Sequence, residues 1–378
     1  MKKQFFYLFF IALILTGLIN SPVQAIDIGG ELELKSGVLY EDELHSNFWG
    51  RGELELYLPR AADFSSRAVF QGQLGNSGEN KDELGFKYLY LRHRRDDGHF
   101  TIGRQPVSWA YGAMINPYDF GFGLEGLADE TRTPAIDGLR SFHNLEAGRS
   151  LQLVAEFADS HYTSPDHMGY GARFRLPSAG QDLSFNLVYQ PVVDILSGSR
   201  DNLLRAGGTY SGDWGQAGIY GALGYYRLRD LARDDYVAQL GLDYSWQIGP
   251  QFQERTVFLQ AEYLRFLNKE LGLLFFQQFA DDLTIQDSGE AAGNVTDDFD
   301  QIPEVYDMLA ANISIQLDPF TQVGTAFIGE TGEGLMTLIP FYQSELGGGV
   351  ELRIEGSLIH DFQEEIGAGI SAGLSYYF

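Results

Sequence analysis

Along most of the chain, hydrophobic and polar positions alternate with a period of two, and that alternation predicts strands. The clearest stretch is 236–247. Tyr236, Ala238, Leu240, Leu242, Tyr244 and Trp246 share one face, while Val237, Gln239, Gly241, Asp243, Ser245 and Gln247 share the other. One face is apolar with aromatic rings at both ends, and the other is mostly polar or small. The pattern recurs. Leu32, Leu34, Val38 and Tyr40 oppose Glu31, Glu33 and Lys35, and Leu54, Leu56 and Leu58 oppose Arg51, Glu53, Glu55 and Tyr57. Leu309, Ala311, Ile313, Ile315 and Leu317 oppose Asn312, Ser314 and Gln316. Val350, Leu352, Ile354 and Leu358 oppose Glu351, Arg353, Glu355 and Ser357. A soluble sandwich would turn the charged face to water and bury the apolar one. A transmembrane barrel does the reverse, with about ten residues crossing the apolar band and aromatic rings at each interface.

Turn signals separate these stretches. Short ones stand at Arg95-Asp96-Asp97-Gly98, Ala147-Gly148-Arg149, Gly212-Asp213-Trp214-Gly215, Asp318-Pro319 and Gly347-Gly348-Gly349. Longer links cover 41–48, 77–82, 108–135, 160–167, 228–235 and 268–303. Short turns alternating with long loops predict an all-β, antiparallel transmembrane barrel of about 18 strands, with about 16 as the alternative. Thr256–Phe266 reads as one strand. Leu271–Phe279 reads as its extension, because a separate strand would make the total odd. A long inward loop is expected after strand 5.

Composition narrows the classes. The chain has 378 residues with Lys+Arg 26 and Asp+Glu 52, a formal charge of −26. A nucleic-acid binder needs a basic footprint, so that class is excluded. With Cys at 0 there is no disulfide scaffold, thiolate metal site or cysteine nucleophile. Residues 1–25 read as a cleaved secretory signal peptide: Lys2 and Lys3, an apolar core from Phe5 to Leu18, and a small-x-small site at Val23-Gln24-Ala25. That leaves 26–378 as a single barrel domain. Nothing in it approaches the roughly 18 apolar residues of a membrane helix, so any crossing would be made by a closed sheet.

Two stretches carry a family resemblance. Ile366, Ala368, Ile370, Ala372, Leu374, Tyr376 and Phe378 alternate with Gly367, Gly369, Ser371, Gly373, Ser375 and Tyr377. This resembles the last strand of bacterial outer-membrane proteins. The resemblance implies recognition of Phe378 by the barrel-assembly machinery, and outer-membrane lipid and lipopolysaccharide as neighbours. Thr101-Ile102-Gly103-Arg104-Gln105-Pro106-Val107-Ser108-Trp109 is followed by Gly112, by Asn116-Pro117-Tyr118-Asp119 and by Asp137-Gly138-Leu139-Arg140. This run resembles bacterial outer-membrane porin-like proteins, including alginate-export-type and related uncharacterised porins. It departs from them at Ala110, where Gly is common after Trp. The resemblance implies a porin-like barrel and does not identify a solute. Taken with the lumen arginines, the expectation is a channel for passive diffusion of small hydrophilic solutes, anionic ones among them, in a single chain or a homotrimer. An exporter for an acidic polysaccharide and a non-conducting structural or adhesive barrel are the alternatives.

Segment 108–135 is too long for a plain hairpin loop and too apolar to stand in water. One reading folds it into the lumen as a constriction carrying Trp109, Tyr111, Tyr118 and Asp119; the other packs it on the outer rim. Seven arginines gather on neighbouring strands: Arg92, Arg94, Arg104, Arg140, Arg173, Arg175 and Arg205. Parity with Leu89 and Leu91 turns Arg92 and Arg94 inward. Parity with Tyr170, Ala172 and Phe174 does the same for Arg173 and Arg175. Arg104 shares its parity with Phe100 and Ile102. Carboxylates gather on the strands that meet at closure: Glu31, Glu33, Glu53, Glu55, Glu351 and Glu355. They would either face the arginines across the pore and set a transverse field, or join them in bracing salt bridges. The acidic stretch 281–300 lacks EF-hand spacing and reads as a solvated outer loop. The chain has 7 His but no His-Glu-x-x-His and no Gly-x-Ser-x-Gly. Neither catalysis nor a cofactor or metal is expected.

Overall fold

The computed structural model describes residues 26–40, 44–61, 63–75, 83–107, 109, 135–157, 168–193, 200–228, 233–250, 255–267, 305–330, 336–360 and 366–378. The strands, in chain order, are β1 Asp27–Tyr40, β2 Leu44–Ala61, β3 Phe64–Gly75, β4 Glu83–Arg95, β5 Gly98–Pro106 and β6 Ala135–Asn144. They continue with β7 Ser150–Glu156, β8 Gly169–Ser178, β9 Gln181–Val193, β10 Arg200–Trp214, β11 Ala217–Leu228 and β12 Arg233–Ile248. The last are β13 Arg255–Phe266, β14 Tyr306–Asp318, β15 Thr321–Glu330, β16 Met336–Gly347, β17 Val350–His360 and β18 Ile366–Tyr377. All pair antiparallel with their chain neighbours, and β1 pairs with β18, which closes an 18-stranded barrel. Closure leaves no edge strand with unpaired backbone groups.

The expected fold class and strand number hold, with boundaries that move. β2 begins at Leu44, so the link expected over 41–48 is mostly strand. β12 begins at Arg233 inside the link expected over 228–235. The turn expected around Gly212 shifts to 215–216, because Gly212 and Trp214 still pair with Ile219 and Ala217. In each case strand pairing continues past the local turn propensity. The stretch 271–279, the acidic stretch 281–300 and residues 1–25 lie outside the described residues.

Each strand presents alternate residues to opposite faces, and the outer face is the apolar one. On β12, Leu240 is 61% exposed whereas its neighbour Gln239 is 4% exposed. Leu187, Leu223, Ile313 and Ile370 continue the exposed apolar band on other strands. Aromatic rings bound that band at both ends. Tyr40, Phe48, Tyr170, Tyr236 and Tyr263 stand exposed toward the long-loop end. At the other end Trp214, Phe320, Tyr376 and Phe378 are exposed, and Tyr244 stacks on Trp246.

The closing seam depends on a bare backbone position. Phe378 exchanges both backbone hydrogen bonds with Gly30, at 3.0 and 3.1 Å. A Cβ on Gly30 would lie 2.5 Å from the Phe378 ring and 2.3 Å from the Glu53 carbonyl oxygen. Only glycine leaves room for the ring there. Gly30→Val is therefore expected to lower the yield of closed barrel. The check is the fraction of unheated protein that runs at the compact position on a gel after refolding into detergent. A parent-like fraction would contradict the seam geometry.

Candidate functional site: the charged lumen

The register places charged side chains inside, and they fall into two differently paired walls. On the closing strands, Glu31 and Glu53 stand directly opposite each other, an arrangement that is repulsive on its own. Arg51 offsets it. Its guanidinium lies 3.0 Å from Glu33, 3.6 Å from Glu31 and 3.8 Å from Glu53, with its side chain 5% exposed. Lys87 reaches Glu53 at 2.8 Å. Arg67 pairs with Glu55 at 2.6 Å, and the Tyr57 hydroxyl donates to the same carboxylate at 2.5 Å. Lys35 and Arg353 converge on Glu355 at 2.8 and 2.6 Å. Glu351 shares a rung with Glu345 on one side and Ser375 on the other. Thus five of the six expected carboxylates, Glu31, Glu33, Glu53, Glu55 and Glu355, have basic partners.

Those basic partners were not among the expected lining residues. Strand parity sets Arg51, Lys35 and Arg353 on the face of the glutamates, without marking them as their partners. It could not have found Lys87, which occupies a bulge where Val69 pairs with Tyr88 and Phe70 with Phe86.

The second wall is basic. Arg92, Thr101 and Arg140 share one rung of the ladder, which continues through Val154, Gly171 and Val188 to Arg205. Arg94 and His99 occupy the next rung with Phe142, and His99 stacks on the Phe142 ring at 5.0 Å. Arg92 Nε donates to the Thr101 hydroxyl at 3.4 Å, and Arg140 Nη1 donates to the Pro106 carbonyl at 3.1 Å. Among the described residues no carboxylate lies within salt-bridge distance of Arg92, Arg94 or Arg140. Arg205 donates to Gln190 at 3.4 Å. Arg173 pairs in register with Asn186, on the inward row. Arg175 is inward too and bonds Asp182 near the short turn.

Arg104 is the exception. The register sets it beside Leu89 and Asp137, on the face of Ile102 and Leu139 rather than that of Thr101 and Gln105. It therefore lines the outside of the barrel and not the pore. Its 3.1 Å bond to Asp137 explains how a charge is tolerated there.

The wall of β11–β13 carries a group that composition did not single out. Glu262 is 1% exposed, accepting from the Tyr220 hydroxyl at 2.7 Å and from Gln239 at 3.2 Å. Of the expected constriction residues, Tyr111, Tyr118 and Asp119 lie outside the described residues. Trp109 is described: it is wholly buried with Val107 against Ile136, Val154 and Val188. Those three partners belong to inward rows, so the chain beyond β5 enters the lumen at least as far as Trp109.

One constellation on the outer face has the composition of a hydrolytic triad. Ser141 Oγ lies 2.8 Å from His143 Nε2, and Asp97 lies 3.8 Å from Nδ1, too far for a hydrogen bond. β6 is laddered on both edges, which uses the backbone amides an oxyanion hole would need. Among the described residues no group of three or more His, Asp or Glu is placed to hold a metal ion.

An apolar outside, aromatic girdles and a charged inside define a membrane-type β-barrel. No family model and no curated protein sequence matches the chain. Solved structures do. The chain is similar to OpdQ of Pseudomonas aeruginosa, with a TM-score of 0.61 at 9% identity, covering 94% of this chain and 99% of that one. A BenF-like porin from Pseudomonas fluorescens Pf-5 gives 0.59 at 9% identity, with the same 94% and 99% coverage. An anion-selective porin from Comamonas acidovorans gives 0.52 at 12% identity, again covering 94% and 99%. The likeness establishes a porin-like barrel fold. It lends no support to the alginate-export resemblance in particular.

Removing Arg51 would leave Glu31 and Glu33 without the cation they share. Arg51→Leu is expected to destabilise the barrel by about 3 kcal/mol, the usual cost of stranding a buried partner. Urea titration of the protein folded in lipid vesicles would show it, and an unchanged midpoint would contradict the bracing role.

Proposed function

We propose that the protein is an outer-membrane channel for passive diffusion of small hydrophilic solutes, with a preference for anions. The observation that carries this reading is the asymmetry of the lumen. The carboxylates of the closing strands are largely neutralised by neighbours, whereas Arg92, Arg94 and Arg140 keep their charge free of nearby carboxylates among the described residues. In a water-filled lumen between low-dielectric walls, cations with no carboxylate beside them weigh most in the field that a passing ion meets. The likeness to the anion-selective porin from Comamonas acidovorans supports the same reading.

In this reading residues 1–25 direct export and are removed, and 26–378 form the barrel. Lipid and lipopolysaccharide meet the apolar face. Segment 108–135 narrows the pore, with Trp109 as its inner anchor. The barrel closes within one chain, so a homotrimer would multiply pores rather than build one. Transport of this kind needs neither catalysis nor a cofactor.

The test is single-channel recording in a planar bilayer under a salt gradient. Stable open steps with an anion-selective reversal potential are expected. Arg92→Gln combined with Arg94→Gln is expected to move that potential toward zero. Steps with cation preference would reverse the assignment of the controlling wall. Conduction blocked by long acidic polysaccharides but not by small anions would favour an exporter. A folded barrel that never conducts would favour a structural or adhesive role.

A further inference from the structure

The motif residues at 103–106 and 137–140 meet across a single ladder. Gly103 pairs with Gly138 and Arg104 with Asp137. On the outer face, Arg104 Nη1 donates to Asp137 Oδ2 at 3.1 Å. On the inner face, Gln105 Nε2 donates to the Gly138 carbonyl at 3.2 Å, and Arg140 Nη1 donates to the Pro106 carbonyl at 3.1 Å. The paired glycines let the flanking strands β4 and β7 close in on this ladder: a Cβ on Gly138 would lie 2.3 Å from the Ala155 carbonyl oxygen, and one on Gly103 2.4 Å from that of Leu89. β5 and β6 are thus tied on both faces of the sheet, at the point where the chain departs for Val107 and Trp109.

We propose that Arg104 and Asp137, whose ion pair lies on the outer face of the sheet, are positioning residues for the pore. Their ion pair forms the outer half of a two-sided clamp. Gln105 and Arg140 form the inner half. Together they fix the direction in which the segment after β5 leaves the wall. A charge on the apolar face is costly to strand, so losing one partner drives the other to reorient toward the rim. The root of the segment then has only its inner ties. This inference rests on the reading of 108–135 as the constriction.

The experiment uses the full-length barrel in planar bilayers. It compares Arg104→Gln, Asp137→Asn and the exchanged pair Arg104→Asp with Asp137→Arg. A deletion of 112–130 is the reference, and gel mobility before and after heating confirms folding. The single variants are expected to shift the distribution of conductance steps upward and broaden it. The exchanged pair is expected to return it to the parent distribution, which a general loss of stability would not do. Arg104→Lys keeps the charge and loses the planar fork. It is expected to shift the steps less, in the same direction, and it carries the test if the other single variants do not fold. Folded variants with parent-like steps, beside a deletion that enlarges them, would overturn the clamp and leave the constriction standing. A deletion that changes nothing would overturn the constriction, and the clamp with it.

Discussion

Hydrocarbon offers no hydrogen bonds, so every backbone amide and carbonyl that crosses it must be paired within the protein. A sheet meets that demand only by closing on itself. The rest of this structure depends on the rung-by-rung pairing of β1 with β18. Once the sheet is closed, pleating sends alternate side chains to lipid and to the lumen, and neither face can be mixed cheaply. The outer rows are accordingly mostly leucine, isoleucine, valine and aromatic rings, and most of the strands' charge goes inside, with the paired Arg104 and Asp137 as an exception. The Phe378–Gly30 exchange carries the pairing to the last rung of the seam.

Inside the barrel the two charged walls behave differently because their neighbours differ. Near the seam, like charges face each other across adjacent strands, and cations from the same strand or from one or two strands away reach them. That part of the wall is closer to a bracing lattice than to a bare field. On β4 to β6 the neighbours of Arg92, Arg94 and Arg140 are Thr101, Tyr90, His99 and the Pro106 carbonyl, which orient the guanidinium without cancelling its charge. In the proposed channel, an anion would therefore meet one attractive side and one largely neutral side.

Much of the barrel was legible in the sequence because period-two alternation is a direct imprint of the pleat. The faces of β1, β2, β12, β14, β17 and β18 could be assigned from residues such as Leu240 and Gln239 alone. Arg92, Arg94, Arg173 and Arg175 were placed inward by the same parity. Pairing was not legible. Which cation would meet which carboxylate depends on register, and register joins Glu31 to Glu53 across the β1–β2 ladder and Lys35 to Glu355 from opposite ends of the chain. Arg104 was ambiguous because its parity matched Phe100 and Ile102 while its neighbours in the arginine group pointed inward. The ladder to Asp137 decides it. The role of Glu262 was hidden for a related reason, since its partners Tyr220 and Gln239 come from two other strands.

The bulge at Lys87 gives alternation the character of a reading frame. Before it, Leu84 and Phe86 keep the even positions of β4 on the outer face; after it, Leu89 and Leu91 put the odd ones there. The inserted residue is a one-letter shift that re-phases the rest of the strand, so Tyr88, Tyr90 and Arg92 read into the lumen. Evolution can thus rewrite half a lumen-facing row without changing any residue in it, by gaining or losing a single position upstream. The basic wall that begins with Arg92 is downstream of such a shift, and its polarity is set as much by the frame as by the letters.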